Sequence, residues 1–229
     1  MKSVLLRSLL VLSLGISSAF SQAPTPRPNP ARFVGEITAF AKQPADTGGI
    51  VFTGSSSIRL WPRLNEDFPG LPIVNRGFGG SVANDLIVYF ETVITRHAPK
   101  LVVVYTGGND LHEKLSVDEA LNDYTSFLKM VHDRFPQTRI ILTSVKIAPS
   151  RDLEIPSVHA LNVRLQAWCT DKNWLRYIDC TSYLADPQGQ PMVSFYRDDR
   201  LHLSDAGYAQ WKSILDPVLR EEWAKAGVL

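Results

Sequence analysis

Four short polar segments of this 229-residue chain carry the side chains that acyl transfer needs. They are Gly54-Ser55-Ser56-Ser57, Asn75-Arg76-Gly77-Phe78-Gly79-Gly80, Gly107-Gly108-Asn109-Asp110 and Asp198-Asp199-Arg200-Leu201-His202. A serine hydroxyl is a weak nucleophile until a neighbouring base takes its proton. Histidine suits that task because its ordinary pKa lies near neutrality. A carboxylate can hold the imidazole in the required tautomer. Charge developing on the carbonyl oxygen needs fixed donors; glycines let backbone amides approach closely, and an asparagine amide adds another donor. Taken singly, each segment has a plainer reading. The serine run could be a flexible turn, the glycines a tight turn, and Asp-x-x-His a piece of solvated surface. Gly-Gly-Asn-Asp after the five-residue apolar run 101–105 is the most specific of the four.

These segments act together only if the elements between them bring them to one place. Apolar runs suited to buried strands are Ile50-Val51-Phe52, Pro72-Ile73-Val74, Leu101 to Tyr105 and Ile140-Ile141-Leu142, with Trp174 to Ile178 a weaker fifth. They are continuous rather than alternating, as strands covered on both faces are. Helical stripes lie between them: Leu86, Phe90 and Val93; Val117, Leu121, Tyr124, Leu128, Val131 and Phe135; Val158, Leu161, Leu165 and Trp168; and Tyr208, Trp211, Leu215 and Val218, with Pro217 expected to bend the last. Ser116 and Glu119 read as a capping box ahead of the second stripe. Residues 31–41 form a candidate first helix with Phe33, Val34, Ile37 and Phe40 on one side. Strands alternating with helices predict an α/β fold with a parallel sheet between helical layers. Ligands of such sheets bind beyond the carboxyl ends of the strands. Three of the polar segments directly follow predicted strands, so they meet at that edge.

Several other chemistries are excluded. Ile58 stands where the last glycine of Gly-x-Ser-x-Gly would be. Val82 replaces the final glycine of a dinucleotide fingerprint, and Ser116 stands where a zinc-protease helix beginning His112-Glu113 needs its second histidine. His97, His132 and His159 fall on helical stretches and are expected at the surface.

The chain opens with Lys2 and Arg7, then runs without charge from Ser8 to Phe20, with small residues at Ala19 and Ser21. That layout predicts a signal peptide over residues 1–21 and a secreted or periplasmic protein. The apolar run is short for a membrane span. Residues 22–30 hold four prolines and read as an extended linker, leaving residues 31–229 as one domain. Lys plus Arg number 24 against 23 Asp plus Glu, and without Lys2 and Arg7 the balance is 22 against 23. Such a balance gives no reason to expect a nucleic acid or an anionic membrane as partner. Cys169 and Cys180 form an even count that, in an exported protein, slightly favours a disulfide over two buried thiols.

The four segments in this order resemble the SGNH, or GDSL-like, hydrolase family over nearly the whole expected mature chain, from Val51 to about Tyr208. The resemblance implies a flavodoxin-like three-layer α/β/α sandwich and ester hydrolysis without a metal or other cofactor. It points to Ser56 as nucleophile, His202 as general base and Asp199 as its partner. The oxyanion hole would be Ser56, Gly80 and Asn109. Ser55 stands where the family often has Asp and Ser57 where it often has Leu, so both compete with Ser56. Gly77 and Gly79 compete with Gly80, and Asp198 with Asp199. The run Gly54 to Trp61 also looks like the branch of the platelet-activating-factor acetylhydrolase catalytic subunits, which implies acetyl esters. No inserted lid is visible between the blocks, so a shallow site for small acyl groups is expected, with deacetylation of carbohydrates as the reading; lysophospholipid or thioester cleavage and a degenerate carbohydrate-binding role are the alternatives. Trp61, Phe78 and Val82 are candidate pocket residues, with packing the stronger reading for Trp61.

Overall fold

Five apolar segments hydrogen-bond side by side into an all-parallel sheet: β1 (Ile50–Gly54), β2 (Ile73–Gly77), β3 (Leu101–Tyr105), β4 (Arg139–Thr143) and β5 (Leu175–Ile178). The computed structural model describes residues 23–227, so the expected signal segment lies outside the described residues. Strand order is β2-β1-β3-β4-β5, with Ile50 paired to both Ile73 and Leu101. β1 and β3 are buried along their whole length, which is why neither shows an alternating pattern.

Side chains on the two faces feed separate cores. Val51, Val102, Val104, Ile140 and Leu142 pack with α1 (Val34–Lys42), α4 (Ala83–Val88), α5 (Phe90–Val93), α7 (Val117–Arg134) and α8 (Ile155–Cys169). Phe52, Leu101, Val103 and Ile141 pack with α2 (Ser56–Arg59), α3 (Leu64–Asp67) and α9 (Asp205–Lys225). The result is the expected three-layer sandwich. Each fully buried aliphatic side chain contributes about 1.5–3 kcal/mol by leaving water. A further short helix, α6 (Gly108–His112), begins just beyond β3. Among the described residues no helix is long and apolar enough to cross a membrane.

The Ser116–Glu119 capping box forms as read, the Ser116 amide donating to Glu119 and the Glu119 amide to Ser116 Oγ. Other expectations need correction. The stripe through Leu86 and Val93 is two short helices, because Tyr89 at φ −100° and ψ 20° leaves helical geometry between them. Val34 faces solvent rather than the core. His97 is fully buried, not a surface residue: its Nε2 accepts from Arg76 Nε at 2.9 Å, and its Nδ1 donates to the Asp46 carbonyl. Burial lowers its pKa, which keeps it in that neutral state. His132 stacks on Trp174 with ring centroids 4.3 Å apart. Cys169 and Cys180 are free thiols, one in each core on opposite sides of the sheet, so no disulfide joins them. Thr25 and Arg27, within the stretch expected to be a linker, bond to Glu119 and Asp123 on α7.

Candidate active site

Strand β1 ends at Gly54, whose φ of +132° and approach to β3 admit no side chain: a Cβ there would sit 1.7 Å from the Tyr105 carbonyl oxygen. The Ser55 amide donates to that oxygen at 3.0 Å, and the Phe78 amide donates to the Gly54 carbonyl at 2.9 Å. The chain then turns at once into α2, with Ser56 as its first residue. Ser55 and Ser57 are buried beside it, whereas Ser56 keeps partial exposure, so only Ser56 of the three faces the open edge. Tyr208 Oη donates to the Ser57 carbonyl at 3.0 Å and ties α9 to α2.

His202 reaches the same place from the other end of the chain. Its Nε2 stands 3.0 Å from Ser56 Oγ, and its Nδ1 2.6 Å from Asp199 Oδ2. A carboxylate can only accept there, so Nδ1 carries the proton and Nε2 presents a lone pair to the serine hydroxyl. The other oxygen, Asp199 Oδ1, accepts from the amides of Leu201 and His202, both at 2.9 Å. Partial burial pushes the Asp199 carboxyl up, but the bonds from the His202 ring and from those two amides outweigh it and hold the group well below the usual carboxylate range. Asp198 is exposed and bonds to no other side chain among the described residues.

The 196–203 loop is braced from below. Lys146, buried just beyond β4, donates from Nζ to the Leu201 carbonyl at 2.6 Å, and the Ser150 amide donates to the Arg200 carbonyl at 3.0 Å. Burial brings the Lys146 ammonium down to about 7.

Gly80 has φ +84°, a left-handed conformation that favours glycine, with open space where a Cβ would point. Its neighbour Ser81 offers its carbonyl to Asn109 Nδ2 at 3.0 Å, which draws the loops after β2 and β3 together. Asp110 is fully buried beside them and accepts from the Ala83 amide at 2.9 Å through Oδ1. Burial raises its carboxyl to about 7 against the pull of the Ala83 amide and its own; the charges of Asp123 and Asp85 add to the rise. Phe78 and Val82 are wholly enclosed, and Trp61 packs among Phe52, Phe68, Tyr208 and Trp211, so these three are packing residues and not pocket walls.

Two residues at this edge escaped the sequence reading: Lys146 and Arg151. The latter contacts Gly108 and Asn109 from the segment Pro149–Glu154. Both follow β4, so the rule that placed the other loops at the carboxyl edge would have pointed to them. A hollow of about 400 Å³ lined by Arg139, Lys172, Arg176 and Glu222 lies at the opposite, amino-terminal end of β4 and β5, away from these groups.

Sheet order and layering together define a three-layer α/β/α sandwich of the flavodoxin-like kind, with the candidate site at the carboxyl edge of its sheet. Residues 36–210 match the GDSL-like Lipase/Acylhydrolase family, and the chain belongs to that family, whose members are hydrolases acting on esters. Solved structures agree on the fold. A protein from Streptococcus pneumonia named as a platelet activating factor is 25% identical, with 80% of this chain and 89% of that chain covered and a TM-score of 0.72. A GDSL-like lipase from Bacteroides thetaiotaomicron is 21% identical over 84% and 98% of the two chains, at TM-score 0.68. A carbohydrate esterase family 3 protein from Talaromyces cellulolyticus is 16% identical over 78% and 99%, at TM-score 0.62. Comparison with curated proteins returned no match.

Proposed function

We propose that this chain is an exported serine esterase that removes short acyl groups, acetyl above all, from carbohydrate esters. The observation that carries the reading is the continuous relay from Ser56 Oγ through the His202 ring to Asp199, at 3.0 and 2.6 Å. In the first half-reaction Ser56 Oγ attacks the ester carbonyl carbon while its proton passes to His202 Nε2. The oxyanion so formed accepts from the amides of Ser56 and Gly80 and from Asn109 Nδ2. Collapse breaks the carbon–oxygen bond, and His202 returns the proton to the leaving alkoxide. Water, deprotonated by the same nitrogen, then attacks the acyl carbon; collapse breaks its bond to Ser56 Oγ, His202 returns the proton to that oxygen, and the acid leaves.

Substrate class is argued from what surrounds the relay. His202 and Asp199 keep 24% and 47% side-chain exposure, so the relay stands at the open surface. An open site of this kind holds a small acyl group on a large polar alcohol better than a long lipid chain. Similarity to the carbohydrate esterase and to a structure of an acetyl esterase mutant bearing acetate supports the same class. The N-terminal layout of cations, apolar run and small residues supports export.

The test is turnover of nitrophenyl esters of increasing acyl length and of an acetylated oligosaccharide. Acetyl esters should give the highest kcat/KM, and Ser56→Ala should lower kcat by about 10⁴-fold. A kcat/KM that rises steadily to long chains would reassign the substrate to lipids. Binding of the oligosaccharide with no turnover of any ester would make the chain a binding protein.

A further inference from the structure

We propose that Arg151 is a positioning residue for acyl transfer: its guanidinium fixes the Asn109 amide so that one N–H stays aimed at the developing oxyanion. The inference rests on the reading of Asn109 as an oxyanion donor and adds the group that sets its orientation.

Arg151 sits in the turn after β4, outside the four segments that supply the reacting groups. Its Nη1 donates to the Gly108 carbonyl at 2.8 Å and its Nη2 to Asn109 Oδ1 at 3.1 Å. Asn109 Nδ2 in turn donates to the Ser81 carbonyl at 3.0 Å. A primary amide has one oxygen and two N–H groups. Arg151 takes the oxygen and Ser81 takes one N–H, which leaves one N–H for a ligand. Rotating the amide by half a turn would press its NH2 against the guanidinium and its oxygen against the Ser81 carbonyl. Both contacts would be repulsive, so a single orientation survives. Without Arg151 the amide keeps only the Ser81 bond, and the terminal torsion of asparagine is intrinsically broad. Oxyanion donors act through geometry set before the reaction, so a loosened donor loses transition-state stabilisation while the ground state is little affected.

The charge of Arg151 fits the same role. Among the described residues no carboxylate lies within ion-pair distance of its guanidinium; nearby Glu154 is engaged by His112 and Lys114. An arginine used only to brace a loop would serve as well with a carboxylate beside it. Here no carboxylate among the described residues pairs directly with the guanidinium, which places its positive charge behind the amide that meets the oxyanion. A lysine could not replace it, because one ammonium cannot span both acceptors as the planar fork does.

The experiment is a double-mutant cycle on an acetyl nitrophenyl ester with Arg151→Met, Asn109→Ala and the double variant, each checked for its thermal midpoint. Arg151→Met should lower kcat about 10- to 100-fold with KM nearly unchanged, a fraction of the 10²–10³ loss expected for Asn109→Ala. The double variant should be no slower than Asn109→Ala alone, because the arginine acts through the asparagine. Millimolar guanidinium should partly restore Arg151→Ala and leave Asn109→Ala unchanged. If Arg151→Met is poorly folded, Arg151→Lys serves the same cycle, with an intermediate loss expected. Arg151→Met within twofold of wild type while Asn109→Ala is crippled, or losses that multiply in the double variant, would overturn the inference. Normal kcat in Asn109→Ala would instead bring down the oxyanion reading, and this proposal with it.

Discussion

Asp199 serves His202 twice, through the ring and through the backbone. Oδ2 holds the proton on Nδ1, and Oδ1 closes the turn that carries the ring, by accepting from the Leu201 and His202 amides. Asp199→Asn would keep much of the turn but replace an acceptor with a donor that can favour the wrong tautomer. Its kcat should fall by up to about 10⁴-fold, with most of the loss in kcat rather than KM. Asp198→Asn, at an exposed side chain, should stay near wild type; steady-state kinetics of the two variants separates the neighbours. The spacing Asp-x-x-His was legible in the sequence, but the choice between adjacent carboxylates was not. One residue of offset decides which carboxylate the turn directs inward, and only backbone geometry fixes that. Ser56 was similarly one of three serines until burial removed Ser55 and Ser57 from the open edge. For Arg151 and Lys146 the edge was legible, since both follow β4, but their contacts were not: the partners are backbone carbonyls and an amide distant in sequence, which leave no local pattern.

At the level of elements, strands and long helices were legible because burial writes them into composition. Strand β3 coincides with its apolar run, and α7 begins at its capping box. The break at Tyr89 and the burial of His97 were not legible, since tertiary partners cause both. His97 sits inside because Arg76 and the Asp46 carbonyl satisfy its two nitrogens, something a helical wheel does not reveal. The join between α6 and α4 makes its own prediction. Asp110 caps α4 through the Ala83 amide, while its Oδ2 is buried with no partner among the described residues. With a folded pKa of about 7 against an ordinary 3.8, the native state keeps a proton that the unfolded chain releases between those values. Below pH 3.8 both states hold the proton and the group is neutral in the balance. Stability should therefore fall as pH rises from about 4 to 7, and the cost of the buried charge is fully present above 7. Asp110→Asn cannot titrate, so its thermal midpoint should lack this component: between pH 5 and pH 8 wild type should lose stability relative to the variant. Parallel melting curves across that range, with no difference in slope, would show that Asp110 is ionised throughout.

Across the whole molecule, the topology explains why such distant residues meet. The chain runs from β1 outward to β2, then crosses back to lay β3 on the other side of β1. Loops leaving β1 and β3 thus diverge at the carboxyl edge and open the crevice where parallel sheets bind ligands. Ser56 follows β1, Gly80 follows β2, Asn109 follows β3, and Arg151 follows β4. His202 arrives just ahead of α9, whose Tyr208 anchors α2. That the first three loops share an edge was deducible from alternation of strands and helices alone. Strand order was not, because short strands of nearly equal length pair equally well in several orders, and the crossovers decide among them. In this assembly Ser56, and neither neighbour, is positioned as the nucleophile. Labelling the native protein with a fluorophosphonate and mapping the adduct by peptide mass spectrometry identifies the reacting serine. One phosphonyl group per chain is expected, on Ser56, and none on His202→Ala over the same interval. An adduct on Ser55 or Ser57, or full ester turnover by a protein that takes up no label, would contradict this assignment.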